Sequence, residues 1–181
     1  MDVLACDIGV AYVRAKSRCC IGFFNKRKCD VSGRFRARDI EILSQRNNSA
    51  STAFSKKIIV KAFLKKTLNG NVLIRWKPFF YTLYKIFSHN VYCPKHKMFN
   101  DKIAFSTNNC EILDNVLMFE EIRDAIDSFF DKHNRGIIMA CNNYVVYSEQ
   151  YNFMTRSRRL RIKNATELIC DIADAIDLIK Y

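Results

Sequence analysis

The sequence predicts a single α/β domain over residues 1–181, with an antiparallel three-strand start, a mixed sheet and flanking helices. Its length of 181 residues suits one domain, and 49% apolar residues can form a sizeable core. Strand-like and helix-like stretches alternate without an intervening linker or internal repeat. Only five Gly and two Pro argue against a disordered or fibrous chain.

Three strands are expected at the N-terminus. Residues 2–9 form a short apolar run that closes on Gly9, which is typical of a buried strand followed by a turn. Residues 11–17 alternate between apolar and polar side chains, and residues 19–31 read as a third strand. These stretches predict the antiparallel start of the sheet.

The middle of the chain predicts alternating helices and strands. A helix is expected over 52–68, because its pattern ends at Asn69-Gly70, a typical C-terminal stop. Residues 71–76 then read as a strand, 78–87 as a helix and 90–94 as a short strand. The order favours an α/β arrangement.

The C-terminal part predicts a long helix, a hairpin and a final helix. Apolar residues keep helical spacing over 109–133, and Asn108 followed by Glu111 resembles a capping box. Two extended runs flank Asn142-Asn143, a hairpin candidate. Asn164 is the expected N-cap of the last helix, which runs to the end.

The positive charge is unevenly distributed. The net charge is +12, and residues 1–100 carry 20 Lys and Arg against five Asp and Glu. Such a surplus favours a polyanionic partner, most commonly nucleic acid. Two clusters are candidates for phosphate contact, although each can equally be a solvated basic segment: Arg34, Arg36 and Arg38, which would share one face of an extended segment, and Arg156, Arg158, Arg159, Arg161 and Lys163.

The eight cysteines suggest reduced thiols in an intracellular protein, in the nucleus or cytoplasm. The N-terminus lacks the pattern of a signal peptide, and no apolar run reaches the length of a membrane span, so no membrane partner is expected. A zinc site from Cys93 and His96 with Cys20 and Cys29 stays open, although their spacing is irregular.

Carboxylates recur at both ends of the sequence. Asp171, Asp174 and Asp177 follow one another every third residue of the last helix, so that neighbouring carboxylates share a face. Asp7 stands at the end of the first apolar run. Asp7, Asp171 and Asp174 together could bind hard divalent cations and activate water against a phosphodiester, whereas a solvated acidic face is the simpler alternative.

The motifs "CDIG" and "DIADA" resemble the two ends of RuvC-type Holliday junction resolvases, RNase H-like nucleases that include poxvirus enzymes. The resemblance implies an RNase H-like fold and a structure-selective endonuclease that cleaves branched DNA with Mg²⁺ or Mn²⁺. It implies catalytic and metal-binding roles for Asp7, Asp171 and Asp174, and a homodimer that makes two symmetric cuts. The richness in Lys, Asn, Phe and Tyr is compatible with an AT-rich, viral genome.

One position departs from the resolvase pattern. Arg75 in "NVLIRWK" stands where those enzymes place a glutamate, and arginine cannot bind Mg²⁺. Glu149 could supply the missing catalytic carboxylate, the strand alignment could differ, or the chain could be an inactive relative.

Two noncatalytic interpretations therefore stand beside the nuclease. One is a nucleic-acid-binding protein on the same fold, with Tyr147, Tyr151 and Phe153 available for base stacking or for the core. The other is an adaptor or regulatory protein that binds another protein.

Overall fold

The computed structural model describes residues 7–9, 11–15, 29–46, 56–77, 91–92 and 102–179. In these residues, three helices accompany one antiparallel sheet. The strands are β1 (Ala11–Ala15), β2 (Cys29–Phe35), β3 (Arg38–Arg46), β4 (Lys56–Trp76), β5 (Val91–Tyr92), β6 (Ile103–Thr107) and β7 (Ile137–Tyr151). The helices are α1 (Cys110–Met118), α2 (Glu120–Lys132) and α3 (Arg156–Leu178).

The long strand β4 organises the sheet. Strands β1, β2, β3 and β4 are neighbours in that order, and β7 pairs with β4 along most of its length. β3 borders the first part of β4 and β6 borders its last part. The predicted α/β class is confirmed. The first three described strands are antiparallel as expected, but they lie later in the chain than the predicted strands 2–9, 11–17 and 19–31. The predicted mixed sheet is wrong for the described strands, because every pairing is antiparallel, and an RNase H-like arrangement is not seen.

The predicted helix over 52–68 is wrong, because described residues from Lys56 onward belong to β4. Ile58, Val60 and Ala62 are fully buried at every second position, which is the period of a strand. β3 and β7 pair with this segment from both sides and satisfy its backbone groups. The predicted strand over 71–76 is confirmed as the end of β4.

The expected helix stop at Asn69-Gly70 and the expected hairpin turn at Asn142-Asn143 are both irregularities in paired strands. Gly70, with φ +149°, follows a register shift in β4, and a Cβ there would lie 2.8 Å from the Asn109 Cβ. Glycine is required for this close approach, so Asn69-Gly70 is not a helix stop. Asn142, with φ 52°, pairs with Leu68 inside the continuous strand β7, so the hairpin prediction is wrong.

The helices differ from their predicted bounds. The long helix over 109–133 is interrupted at Phe119, whose backbone is extended, and Asn109 rather than Asn108 caps α1. α3 begins at Arg156 with Thr155 as its N-cap, so the basic cluster forms its first turns. α3 packs on β4 and β7, with α2 beside it. None of the described helices has the length and apolar character needed to cross a membrane.

The N-terminal strand prediction fails where it can be examined. Asp7 and Ile8 lie in a helical turn followed by Gly9, and residues 1–6 are outside the described residues. β1 and β5 confirm strands within 11–17 and 90–94, and β2 begins near the end of the third predicted strand. The predicted helix over 78–87 lies outside the described residues, and β6 was not predicted.

Candidate functional site

The three aspartates of α3 are paired with arginines from the β2–β3 hairpin. Asp171 Oδ1 accepts a hydrogen bond of 2.9 Å from Arg36. Asp174 and Asp177 both accept from Arg38, the latter at 2.7 Å. The carboxylates expected to bind metal therefore bind the arginines expected to bind phosphate.

A tight turn brings these arginines to α3. Arg36 and Ala37 have φ of 49° and 62°, as in a type I′ hairpin turn, and Phe35 pairs with Arg38 across it. The prediction that Arg34, Arg36 and Arg38 share the face of one extended segment is therefore wrong. Arg34 instead forms an exposed ion pair with Asp39 at 3.0 Å.

The buried side chain of Arg38 links the β2–β3 hairpin to β4 and α3 through hydrogen bonds. Its guanidinium donates to the Phe63 carbonyl at 2.5 Å as well as to the two aspartates. Asp177 also accepts from the Lys65 backbone N–H at 3.0 Å. Burial opposes the charge of Arg38, but its hydrogen bonds and ion pairs with Asp174 and Asp177 outweigh burial and raise its pKa.

A second cluster fastens the start of α3 to β7. Glu149 is buried and accepts from Arg161 through both oxygens, at 2.7 and 3.0 Å. Arg158 Nε lies 3.2 Å from Glu149 Oε1, and the Tyr147 hydroxyl donates to Oε2 at 2.6 Å. With two guanidinium groups and a phenol around it, Glu149 is a structural counter-ion and lies apart from the aspartates of α3.

The three aromatic residues considered for base stacking or for the core divide between core and surface. Tyr147 is fully buried, and burial followed by the Glu149 charge raises its pKa. The Tyr151 hydroxyl lies 2.7 Å from that of Ser44. Phe153 alone is open, with 78% of its surface exposed.

Asp7 lies at the opposite end of α3 from the other predicted metal ligands. Its Oδ2 is 2.8 Å from Arg159 Nε. Arg159 precedes Asp171 by 12 residues, roughly 18 Å of helical rise. Among the described residues, no three His, Cys, Asp or Glu side chains are grouped so that they could hold a metal ion. Binding of Mg²⁺ or Mn²⁺ stays a prediction, for which the described residues offer no cluster of ligands.

These ion pairs reduce the positive surface offered to a polyanion. Arg36, Arg38, Arg158, Arg159 and Arg161 each face a carboxylate. Arg156 and Lys163 have no ion pair with a carboxylate of the described residues, so the basic cluster keeps a local excess of cations.

The fold matches a solved structure over nearly the whole chain. The crystal structure of the mycobacterial trehalose monomycolate transport factor A, TtfA, aligns with a TM-score of 0.57 at 11% identity. The alignment covers 99% of this chain and 93% of that chain. At this identity the likeness concerns the fold alone. No protein-family model and no curated protein sequence matches the chain.

The interpretation as a Holliday junction resolvase is therefore wrong. The fold matches a transport factor, and the expected active-site carboxylates are separated and paired with arginines. The "CDIG" and "DIADA" motifs were short enough to arise without a shared active site. Arg75 pairs with Ala104 and Ile137 in the sheet. The zinc site considered from the sequence cannot be placed, because three of its four candidate ligands, Cys20, Cys93 and His96, lie outside the described residues.

The structural roles of Asp177 and Arg38 were not predicted from the sequence, and neither was the hydrogen bond from Tyr147 to Glu149. The alternation of Arg34, Arg36 and Arg38 concealed a turn without Gly or Asn, the usual signal for positive φ. A signal was present in the charge order of α3. Arginines at its start and aspartates at its end oppose the helix dipole, which indicates partners on other elements.

Proposed function

We propose that this chain is a noncatalytic adaptor that binds another protein. The observation that carries the proposal is the pairing of Asp7, Asp171, Asp174 and Glu149 with arginines. Charges used in this way hold α3 against the hairpin and β7, and they are not available to bind metal or activate water. They build a scaffold, which is what an adaptor requires.

The junction of α1 and α2 offers a surface for a protein partner. Met118 is 68% exposed and Phe119 is 39% exposed at this corner. Methionine and aromatic side chains are enriched at protein interfaces, and adjacent exposed apolar side chains mark interaction sites. The likeness to TtfA, which is named a transport factor, is compatible with a noncatalytic role.

Peptide display against the immobilised chain tests the adaptor proposal. Selected peptides should bind the free chain saturably in fluorescence anisotropy. Met118→Ser should weaken them about tenfold, as for a moderate interface hot spot. Leu178→Ser is the matched control, because Leu178 is 69% exposed on α3 and should leave binding unchanged. Failure to select any saturable binder, or equal loss in both variants, would contradict this role for the corner.

A noncatalytic nucleic-acid-binding function is the second candidate, and a specific observation favours it. The described residues contain 21 Lys and Arg and 16 Asp and Glu, a net +5 of the total +12. The remaining segments therefore carry net +7 in sequence. Binding of labelled duplex and four-way-junction DNA should then weaken steeply between about 50 and 200 mM salt. DNA binding without any peptide ligand would favour this candidate over the adaptor.

A further inference from the structure

The start of α3 combines exposed apolar side chains with cations that have no ion-pair partner among the described residues. Phe153, three residues before the helix begins, is 78% exposed, and Leu160 is 58% exposed. Arg156, Leu160 and Lys163 have the spacing i, i+4 and i+7, which places them on one helical face. We name Phe153, Arg156, Leu160 and Lys163 the basic-apolar patch.

The charge around this patch is positive after all described ion pairs are counted. Five cations occupy residues 156–163 of α3, whereas the pairs of this segment involve two carboxylates, Glu149 and Asp7. The positive end of the helix dipole adds to this potential. The patch is therefore complementary to a negatively charged partner.

We propose that the basic-apolar patch docks the protein on an anionic lipid bilayer. Cations flanked by Phe and Leu match a membrane interface, where headgroups attract the charges and the acyl boundary accepts the apolar side chains. A nucleic acid would satisfy the cations and could stack on Phe153, but it would leave the aliphatic Leu160 without a complementary group. A bilayer accommodates both protruding side chains without a preformed pocket.

The rest of α3 determines how the helix meets the bilayer. The same side of the helix continues through Glu167, which an anionic surface repels. Asp171 and Asp174 follow on this side, and their pairs with the hairpin arginines leave no net attraction to such a surface. The helix therefore meets the bilayer with its N-terminal end and does not lie flat. Docking at this end also leaves Met118 and Phe119, at the junction of α1 and α2, outside the patch.

Co-sedimentation with vesicles tests the proposal on the full chain. The protein should bind vesicles that contain phosphatidylserine and should not bind phosphatidylcholine alone. Arg156→Gln with Lys163→Gln should lower the partition coefficient roughly 25-fold, from about fivefold per cation. Phe153→Ser with Leu160→Ser should lower it by at least about tenfold through lost apolar burial.

Lys132→Gln and Leu178→Ser are the matched controls, since each removes an exposed side chain of the same type outside the patch. Both should bind vesicles like the unmodified protein, and circular dichroism checks that every variant is folded. Absence of binding to phosphatidylserine vesicles would overturn the proposal, as would equal losses in patch and control variants. DNA binding that depends on Arg156 and Lys163, with vesicle binding indifferent to Phe153 and Leu160, would assign the patch to nucleic acid instead.

Discussion

At both ends of α3, ion pairs to other elements balance helix charges, but the ion pairs at the two ends differ in burial. At its start, Arg158 and Arg161 enclose the buried Glu149 of β7. At its end, the hairpin arginines pair with aspartates, one of which, Asp174, has a 57% exposed side chain. Both ends carry charge of the sign that the helix dipole disfavours. The comparison shows that tertiary ion pairs compensate for an order of charges that an isolated helix would not tolerate well.

Removing Glu149 should have the largest effect on stability. Glu149→Gln leaves Arg158 and Arg161 at a buried site without a counter-charge, and we expect the free energy of unfolding to fall by about 3–5 kcal/mol. Urea denaturation followed by circular dichroism measures the change. Glu167→Gln is the control, because this half-buried α3 residue has no ion pair within the described residues and should change stability by less than about 0.5 kcal/mol. Equal effects of both substitutions would refute the role of the buried cluster.

Removing Arg38 should lower the free energy of unfolding by less than removing Glu149, although both side chains are buried. Arg38→Met leaves Asp177 hydrogen-bonded to the Lys65 N–H, and Asp174 can remain hydrated. We therefore expect a loss of about 2–3 kcal/mol, near the lower limit for a broken buried pair. Arg34→Met breaks the exposed Arg34–Asp39 pair in the same hairpin and should cost at most about 0.5 kcal/mol. Thermal unfolding of the two variants side by side checks this order, and a larger loss for Arg34→Met would contradict it.

The smallest effect is expected at Asp171, and it depends on pH. Burial raises the pKa of Asp171 and outweighs the opposing charge of Arg36, while Asp174 adds repulsion. The folded state therefore binds this proton more readily than the unfolded state. The resulting stability is present at low pH and is lost as pH rises through the folded pKa.

Asp171→Asn should remove this part of the pH dependence and change stability at neutral pH by no more than about 1 kcal/mol, because the pair with Arg36 is partly exposed. Melting temperatures between about pH 4 and 7 measure it. A variant whose melting temperature changes with pH in parallel with the unmodified protein would contradict the assignment.

The helical and extended patterns were predictable to different degrees. The part of α3 after Asn164 and the strand over 71–76 were predictable because their apolar periods are clear, whereas the first turns of α3, from Arg156, were not expected to be helical. The sequence predicts a helix for the first part of β4, since "KKIIVKAFLKK" matches both the helical and the extended period. Only its pairing with β3 and β7 selects the extended form. The break at Phe119 was equally hidden, because apolar residues keep helical spacing across it.

The candidate site was predictable in its residue types but not in its pairing. The sequence indicated that Asp7, Glu149, Asp171 and Asp174 were important carboxylates and that the arginines around residues 34–38 and 156–161 needed anionic partners. It could not show that these two sets would neutralise each other. Arg36 and Asp171 are 135 residues apart in the chain. Their contact exists only because the hairpin and α3 meet across β4.

The sequence by itself determined the α/β class, the uneven charge and the amphipathic last helix, because these depend on composition and on spacing between near neighbours. Tertiary structure alone decided that the carboxylates are counter-ions of arginines, that β4 is extended and that Phe153 and Leu160 remain exposed. A carboxylate can bind a metal ion, water or a guanidinium. Which of these it meets depends on the groups that distant parts of the chain bring within about 3 Å.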